Sequence, residues 1–212
     1  VNRKLQCALF DLDNTLYPQS CGLMHEIGRR INLYMVERLG IAPEEVGARR
    51  EALMHSHGTT LNGLRRVCEV DPDEYLDFVH DIPIDEYLRP EPELAEMLRA
   101  LPLRRVVFTN ADAAHARRVL ARLGVLGHFE TVIDIHFLDF VNKPYLRAYH
   151  KALEFVSARP DECVLLEDSA VNIRPAREMG MMTVMVGGDG TDGAQYHIER
   201  VTEFARLLPE LG

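Results

Sequence analysis

What most constrains this chain is a rhythm that begins at "LRPEPEL", residues 88–94. From there to Gly187, short apolar runs alternate with amphipathic stretches. Helical patterns over 93–101, 113–123, 145–156 and 170–179 separate the runs "RRVVFT", "ETVIDI", "CVLLE" and "MMTVMVG". Strands spaced by helices cannot close as hairpins, so they lie parallel, with crossover helices on both faces of the sheet. One further apolar run, Leu5–Phe10, stands alone ahead of a block that holds helical patterns and no strand. In that block Ile27, Ile31, Met35 and Leu39 recur every fourth residue between Gly22 and Gly40, and further helical stretches fall at 43–55, 60–67 and 72–79. The expected architecture is α/β: an open parallel sheet core from 1–17 and 90–212, with a helical domain, 18–89, inserted in the first strand-to-helix connection.

In an open parallel sheet, ligands collect beyond the carboxyl ends of the strands. At those ends the sequence sets Asp11 and Asp13, then Thr109-Asn110, then Lys143-Pro144 after the weaker run "ETVIDI", and finally Glu167-Asp168-Ser169. Each has an ordinary reading: an Asp caps a turn, "TNAD" caps a helix, a lysine before proline is solvated. Their concurrence at equivalent topological positions asks for more. Unit charges ~4 Å apart repel by on the order of 4 kcal/mol at an effective dielectric near 20, so carboxylates gathered on one edge demand a cation. A hard divalent ion with oxygen ligands, Mg2+ by preference, meets that demand, with Asp11 and Asp168 as ligands and Lys143 neutralising further charge. A carboxylate so compensated can attack a phosphate and form an aspartyl-phosphate.

In order along the chain, "DLDNT", "FTN", "NKP" and "LLEDSAVN" resemble the four motifs of the haloacid dehalogenase-like hydrolase superfamily, and the match spans essentially the whole sequence. The resemblance implies a Rossmann-like core with a helical cap, and an enzyme that transfers phosphoryl groups. By it, Asp11 is the nucleophile and Asp13 the general acid, later the base for the hydrolytic water. Thr109 and the backbone around Asn110 hold the phosphoryl oxygens, Lys143 ties nucleophile to phosphate, and Asp11, Asp168 and the backbone carbonyl of Asp13 bind Mg2+. Glu167 stands where many members carry a second aspartate and is left outside that ligand set, while Asn172 is read as orienting the acidic loop. The dehalogenases of the superfamily lack the second acid and need no metal, so Asp13 and "EDS" favour phosphate chemistry.

Substrate choice falls to the inserted domain, which by the resemblance closes over the site. "SHGTTLNGL", residues 56–64, and Tyr-Pro directly after "DLDNTL" resemble pyrimidine 5'-nucleotidases. Thr59 and Thr60 would then offer hydroxyls to a ribose or base, although "HGTT" reads equally well as one helix ending and the next being capped. UMP and CMP are the expected substrates. A phosphoglycolate or sugar-phosphate phosphatase of the same fold is the alternative. A phosphomutase would need an acid–base pair that nothing in the block identifies, and a non-catalytic regulatory protein would have no reason to keep mutually repelling carboxylates.

With 33 acidic against 24 basic residues the chain carries a formal charge of −9, which argues against a groove for a nucleic acid polymer. Arginine pairs such as Arg29-Arg30, Arg65-Arg66 and Arg117-Arg118 are scattered along helical patterns and read as solvated faces. Cys7, Cys21, Cys68 and Cys163 show no close pairing, "VNRKLQ" has no apolar signal core, and no apolar run approaches the ~18 residues of a spanning helix. A cytoplasmic protein, neither secreted nor membrane-embedded, is expected; starting at Val1 without Met, it is also expected to lack a few upstream residues. His55 and His57 read as surface histidines. "GDGTDG", residues 188–193, matches a dinucleotide fingerprint, but with no strand expected after it and no acidic partner about 20 residues on, it reads as a surface turn.

Overall fold

The alternation is realised as a parallel sheet. The computed structural model describes residues 5–188 and 193–208. Within them lie β1 (Cys7–Phe10), β2 (Arg104–Phe108), β3 (Thr131–Ile133), β4 (Cys163–Glu167), β5 (Met182–Val186) and β6 (Tyr196–Ile198). They form one sheet in the order β3-β2-β1-β4-β5-β6, every neighbouring pair parallel. β1 and β4 are buried along their whole length, which is why they read as unbroken apolar runs: helices cover both faces. β6 corrects the expectation that no strand follows Gly187. Its three residues are too few to show a period, and its pairing with β5 alone defines it. Residues 189–192 of the glycine-rich stretch lie outside the described residues.

The chain divides into two compact units, Gly22–Tyr87 and Val1–Cys21 with Leu88–Gly212. The first holds α1 (Leu23–Glu37), α2 (Pro43–His57), α3 (Thr60–Val67), α4 (Pro72–His80) and the single turn α5 (Ile84–Tyr87). Its interior centres on Tyr34 of α1, whose ring meets Tyr75 and Phe78 of α4 edge-on, with centroids 4.9 and 5.4 Å away. Between α2 and α3 the approach is close enough that a Cβ on Gly63 would lie 2.6 Å from Cβ of Leu53.

The second unit adds α6 (Pro92–Ala100), α7 (Ala113–Leu123), α8 (Leu146–Val156), α9 (Ala170–Glu178) and α10 (Phe204–Leu207) to the sheet. Successive strand residues point to opposite faces. Cys7 and Leu9 pack with Phe108, Leu165, Tyr149 and Ala152 of α8 and Ala176 of α9. Phe10 instead meets the rings of Phe129 and Phe204 edge-on. Each strand's carboxyl end therefore projects from a scaffold packed on both sides. No helix among the described residues is long and apolar enough to cross a membrane.

Candidate active site

Topology picks out one crevice. The chain passes from β1 to β2 on one side and, after β3, crosses to β4 on the other side of β1, so the order reverses between β1 and β4. Ligands of such sheets bind at the carboxyl ends flanking that reversal. Asp11 directly follows β1, its amide donating to the carbonyl of Leu166 in β4 at 2.9 Å. Glu167 closes β4, with Asp168 next.

Beyond β1, "DLDNTLY" forms a tight turn in which residues four apart pair up, the amide of Leu16 donating to the carbonyl of Leu12. Leu12 and Leu16 bury the apolar side. On the polar side Thr15 donates its hydroxyl to Oδ2 of Asp11 at 3.1 Å, and Tyr17 donates to Oδ1 of Asp13 at 2.5 Å. The two aspartates thus have separate partners and separate settings, Asp11 buried and Asp13 half-buried. Burial, reinforced by the Asp13 charge, pushes the Tyr17 phenol well above its ordinary range and keeps it a donor.

Lys143 joins β1 to β4. Its ammonium lies 2.7 Å from Oδ1 of Asp11 and 2.6 Å from Oε2 of Glu167, fully buried and 5.0 Å from the centroid of the Phe108 ring. Asn110 holds the lysine's backbone from both ends, accepting from its amide at 2.8 Å and donating to its carbonyl at 3.0 Å. Thr109 is buried at the end of β2, where its hydroxyl oxygen accepts from the amide of Ala111 at 3.0 Å.

Burial, then the Glu167 charge, pushes Asp11 up to about 7 against the pull of Lys143. Glu167 is likewise pushed up to about 7, burial leading, with the Asp168 charge adding to it and Lys143 opposing. Asp168 is raised too, by burial first and the Asp11 charge second. For Lys143 burial works toward neutrality, but the Asp11 and Glu167 carboxylates overrule it and raise the ammonium above its ordinary value. Carboxylate oxygens of Asp11, Glu167 and Asp168 all lie within 4.8 Å of one another. With the ammonium counted, the ionised group retains a formal charge of −2. Asn14, with φ of 61°, hydrogen-bonds Asp168 through its side chain, yet its Oδ1 is buried without a partner. An uncommitted oxygen beside three crowded carboxylates suits a hard divalent cation.

The sequence model of the haloacid dehalogenase-like hydrolase family matches residues 5–180. The chain belongs to this family. Over 187 residues the hydrolase is 26% identical to Phosphate metabolism protein 8 of Saccharomyces cerevisiae, a match covering 81% of this chain and 58% of that protein. It therefore spans little more than half the length of that relative. Glyceraldehyde 3-phosphate phosphatase of Methanopyrus kandleri is 27% identical over 232 residues, covering 98% of each chain. L-2-haloacid dehalogenase of Xanthobacter autotrophicus shares the fold, with a TM-score of 0.64, 17% identity, and coverage of 98% of this chain and 100% of that one. Since a dehalogenase has the same fold, the chemistry must be argued from side chains.

Of the residues expected from sequence, Asp11, Lys143 and Asp168 meet directly or through Glu167. Glu167, expected on this edge but left outside the ligand set, lies in the same group of three carboxylates. The Asp13 carboxylate lies outside that group of three, held by Tyr17 and by Nε2 of His115 at 3.3 Å. The Asn110 side chain serves Lys143, and Asn172 contributes its backbone carbonyl, which accepts from the Tyr149 hydroxyl at 2.6 Å. In the helical unit Thr59 caps α3, its hydroxyl oxygen accepting from the amide of Asn62 at 3.2 Å, and Thr60 is buried. His55 and His57 join no group of three candidate metal ligands among the described residues. His115 escaped sequence reading because it shows only as one residue in the first turn of an amphipathic helix. Its one signal was its place shortly after "FTN" at a strand's carboxyl end.

Proposed function

We propose that this hydrolase is a Mg2+-dependent phosphomonoesterase that works through a phosphorylated Asp11 on small phosphorylated metabolites, pyrimidine nucleoside 5'-monophosphates first among them. The observation that carries the reading is the gathering of Asp11, Glu167 and Asp168 within 4.8 Å, with the Lys143 ammonium bonded to two of them. Asp11, Asp168, Glu167 and the backbone carbonyl of Asp13 would hold Mg2+, whose charge lets a phosphate dianion come up to a carboxylate.

An Asp11 oxygen attacks phosphorus as the ester P–O bond breaks, and Asp13 hands its proton to the departing alkoxide. Asp13 then takes a proton from water, whose oxygen attacks the same phosphorus, breaks the bond to Asp11 and releases inorganic phosphate. Lys143 offsets charge on Asp11 throughout, while Thr109 and the backbone near Asn110 receive the phosphoryl oxygens. The dehalogenases of the superfamily lack the second acid and need no metal, so Asp13 and the crowding of Asp11, Glu167 and Asp168 support phosphate chemistry instead.

The nucleotide preference rests on the resemblance of "DLDNTLYP" and "SHGTTLNGL" to pyrimidine nucleotidases. A triose phosphate is the second reading, favoured by the relative named glyceraldehyde 3-phosphate phosphatase that aligns over 98% of the chain. The test is phosphate release from UMP, CMP, AMP, glyceraldehyde 3-phosphate and phosphoglycolate by EDTA-stripped enzyme, before and after Mg2+. Turnover restored by Mg2+ and abolished in Asp11→Asn and Asp13→Asn is expected. Full activity of either variant overturns the mechanism, whereas preference for a sugar phosphate overturns only the substrate.

A further inference from the structure

The mechanism leaves two side chains around Asp13 without a role. Tyr17 and His115 both reach Oδ1 of Asp13, at 2.5 and 3.3 Å, from elements separated by about half of the chain. Tyr17 is nearly buried, and the His115 side chain is fully so. An ionised carboxylate has no proton to give, so the imidazole contact calls for a hydrogen on Nε2. A fully buried histidine is a costly way to support a half-buried aspartate unless the direction of that aspartate matters.

The mounting of each donor is rigid. Tyr17 sits four residues after Asp13 on the turn that also pairs Thr15 with Asp11. His115 occupies the first turn of α7, which is fastened twice. The Asp112 side chain accepts from the amide of His115 at 2.8 Å, and Asp134, just past β3, accepts from the amide of Ala113 at 2.9 Å.

We infer that Tyr17 and His115 are positioning residues that lock the carboxylate of Asp13 through Oδ1 and so aim it at the leaving-group oxygen. This rests on the reading of Asp13 as general acid. Two donors from different directions on one oxygen fix both torsions of a short side chain, which fixes the direction in which the other oxygen delivers its proton. Proton delivery in a transition state tolerates little misalignment. The substrate consequence is that the pair matters for alkyl phosphates, whose alkoxides must be protonated as they leave. It matters little for p-nitrophenyl phosphate, whose leaving group is already a stable anion.

The test compares kcat/KM, which reports steps up to phosphoryl transfer onto Asp11, for UMP and p-nitrophenyl phosphate. The proteins are the unaltered enzyme, Tyr17→Phe, His115→Leu, His115→Gln and Asp13→Asn. Tyr17→Phe and His115→Leu are expected to lose about 10- to 100-fold on UMP, a part of the roughly 10²- to 10⁴-fold that a general acid contributes, and much less on p-nitrophenyl phosphate. His115→Gln, which keeps an N–H donor at similar reach, is expected to recover most of the UMP rate. Equal losses on both substrates, or none, overturn the positioning role while Asp13→Asn remains inactive on UMP. Full activity of Asp13→Asn on UMP overturns the general-acid reading itself. Tyr17→Phe removes only the hydroxyl and keeps the ring, so the test stays decisive should His115→Leu fail to fold.

Discussion

Lys143→Met exposes the electrostatic arrangement at its centre. The substitution keeps the length of the stem against Phe108 and removes one charge lying 2.7 and 2.6 Å from two buried carboxylates. Breaking a buried pair of this kind costs about 3–5 kcal/mol. The pH dependence is the sharper expectation. In the unaltered metal-free protein Asp11 and Glu167 titrate near 7, so above that pH they are ionised around the ammonium. Without Lys143 their values rise further, and the folded variant holds protons that both the unfolded chain and the unaltered fold have released. Stability then falls by an extra 1.4 kcal/mol or so per pH unit for each carboxylate still protonated. If only one behaves this way and stays protonated to pH 9, the penalty at pH 9 exceeds that at pH 7 by about 2 kcal/mol, because the unaltered carboxylate is itself half-protonated at about 7. Urea denaturation in EDTA across pH 6–9, with Lys143→Arg as the charge-retaining control, measures it. A penalty equal at pH 7 and pH 9 refutes the reasoning, for it would mean that the lysine contributes packing and no charge compensation.

The unaltered protein in EDTA should itself lose stability as pH rises from about 4 to about 7. Asp11 and Glu167 have folded values raised from 3.8 and 4.5, so the unfolded chain gives up protons that the fold retains; adding Mg2+ at pH 8 should raise the melting temperature. Gly63→Ala should destabilise the helical unit by about 1–2 kcal/mol in a urea titration, because the Cβ clash with Leu53 exceeds the ~1 kcal/mol gained in helix propensity. Thr59→Ala should cost about 1 kcal/mol in a urea titration by uncapping α3; a tenfold rise in KM for UMP beside that loss is the result that would add a substrate contact to the capping role, and an unchanged KM would remove the residue from the substrate site.

Much of the site was legible in the linear sequence because the chemistry is written next to the strands. Asp11, Thr109 and Glu167-Asp168 are each read from an apolar run that stops at a polar residue, and a parallel sheet brings all such stops to one edge. Short-range periodicity likewise determined the α/β class and the helical insertion. Three things only the tertiary structure decided. The edge strand β6 exists because β5 offers an open ladder, a condition invisible in three residues. Glu167 shares the Lys143 ammonium with Asp11 from an adjoining strand, and only the strand order makes those three groups neighbours. His115 found Asp13 across 102 positions. Local sequence sets which residues end a strand or open a helix, since those depend on neighbours within a turn or two. Which of those ends then face one another depends on how the strands are ordered and how the helices pack, and that is settled by burial summed over the whole core.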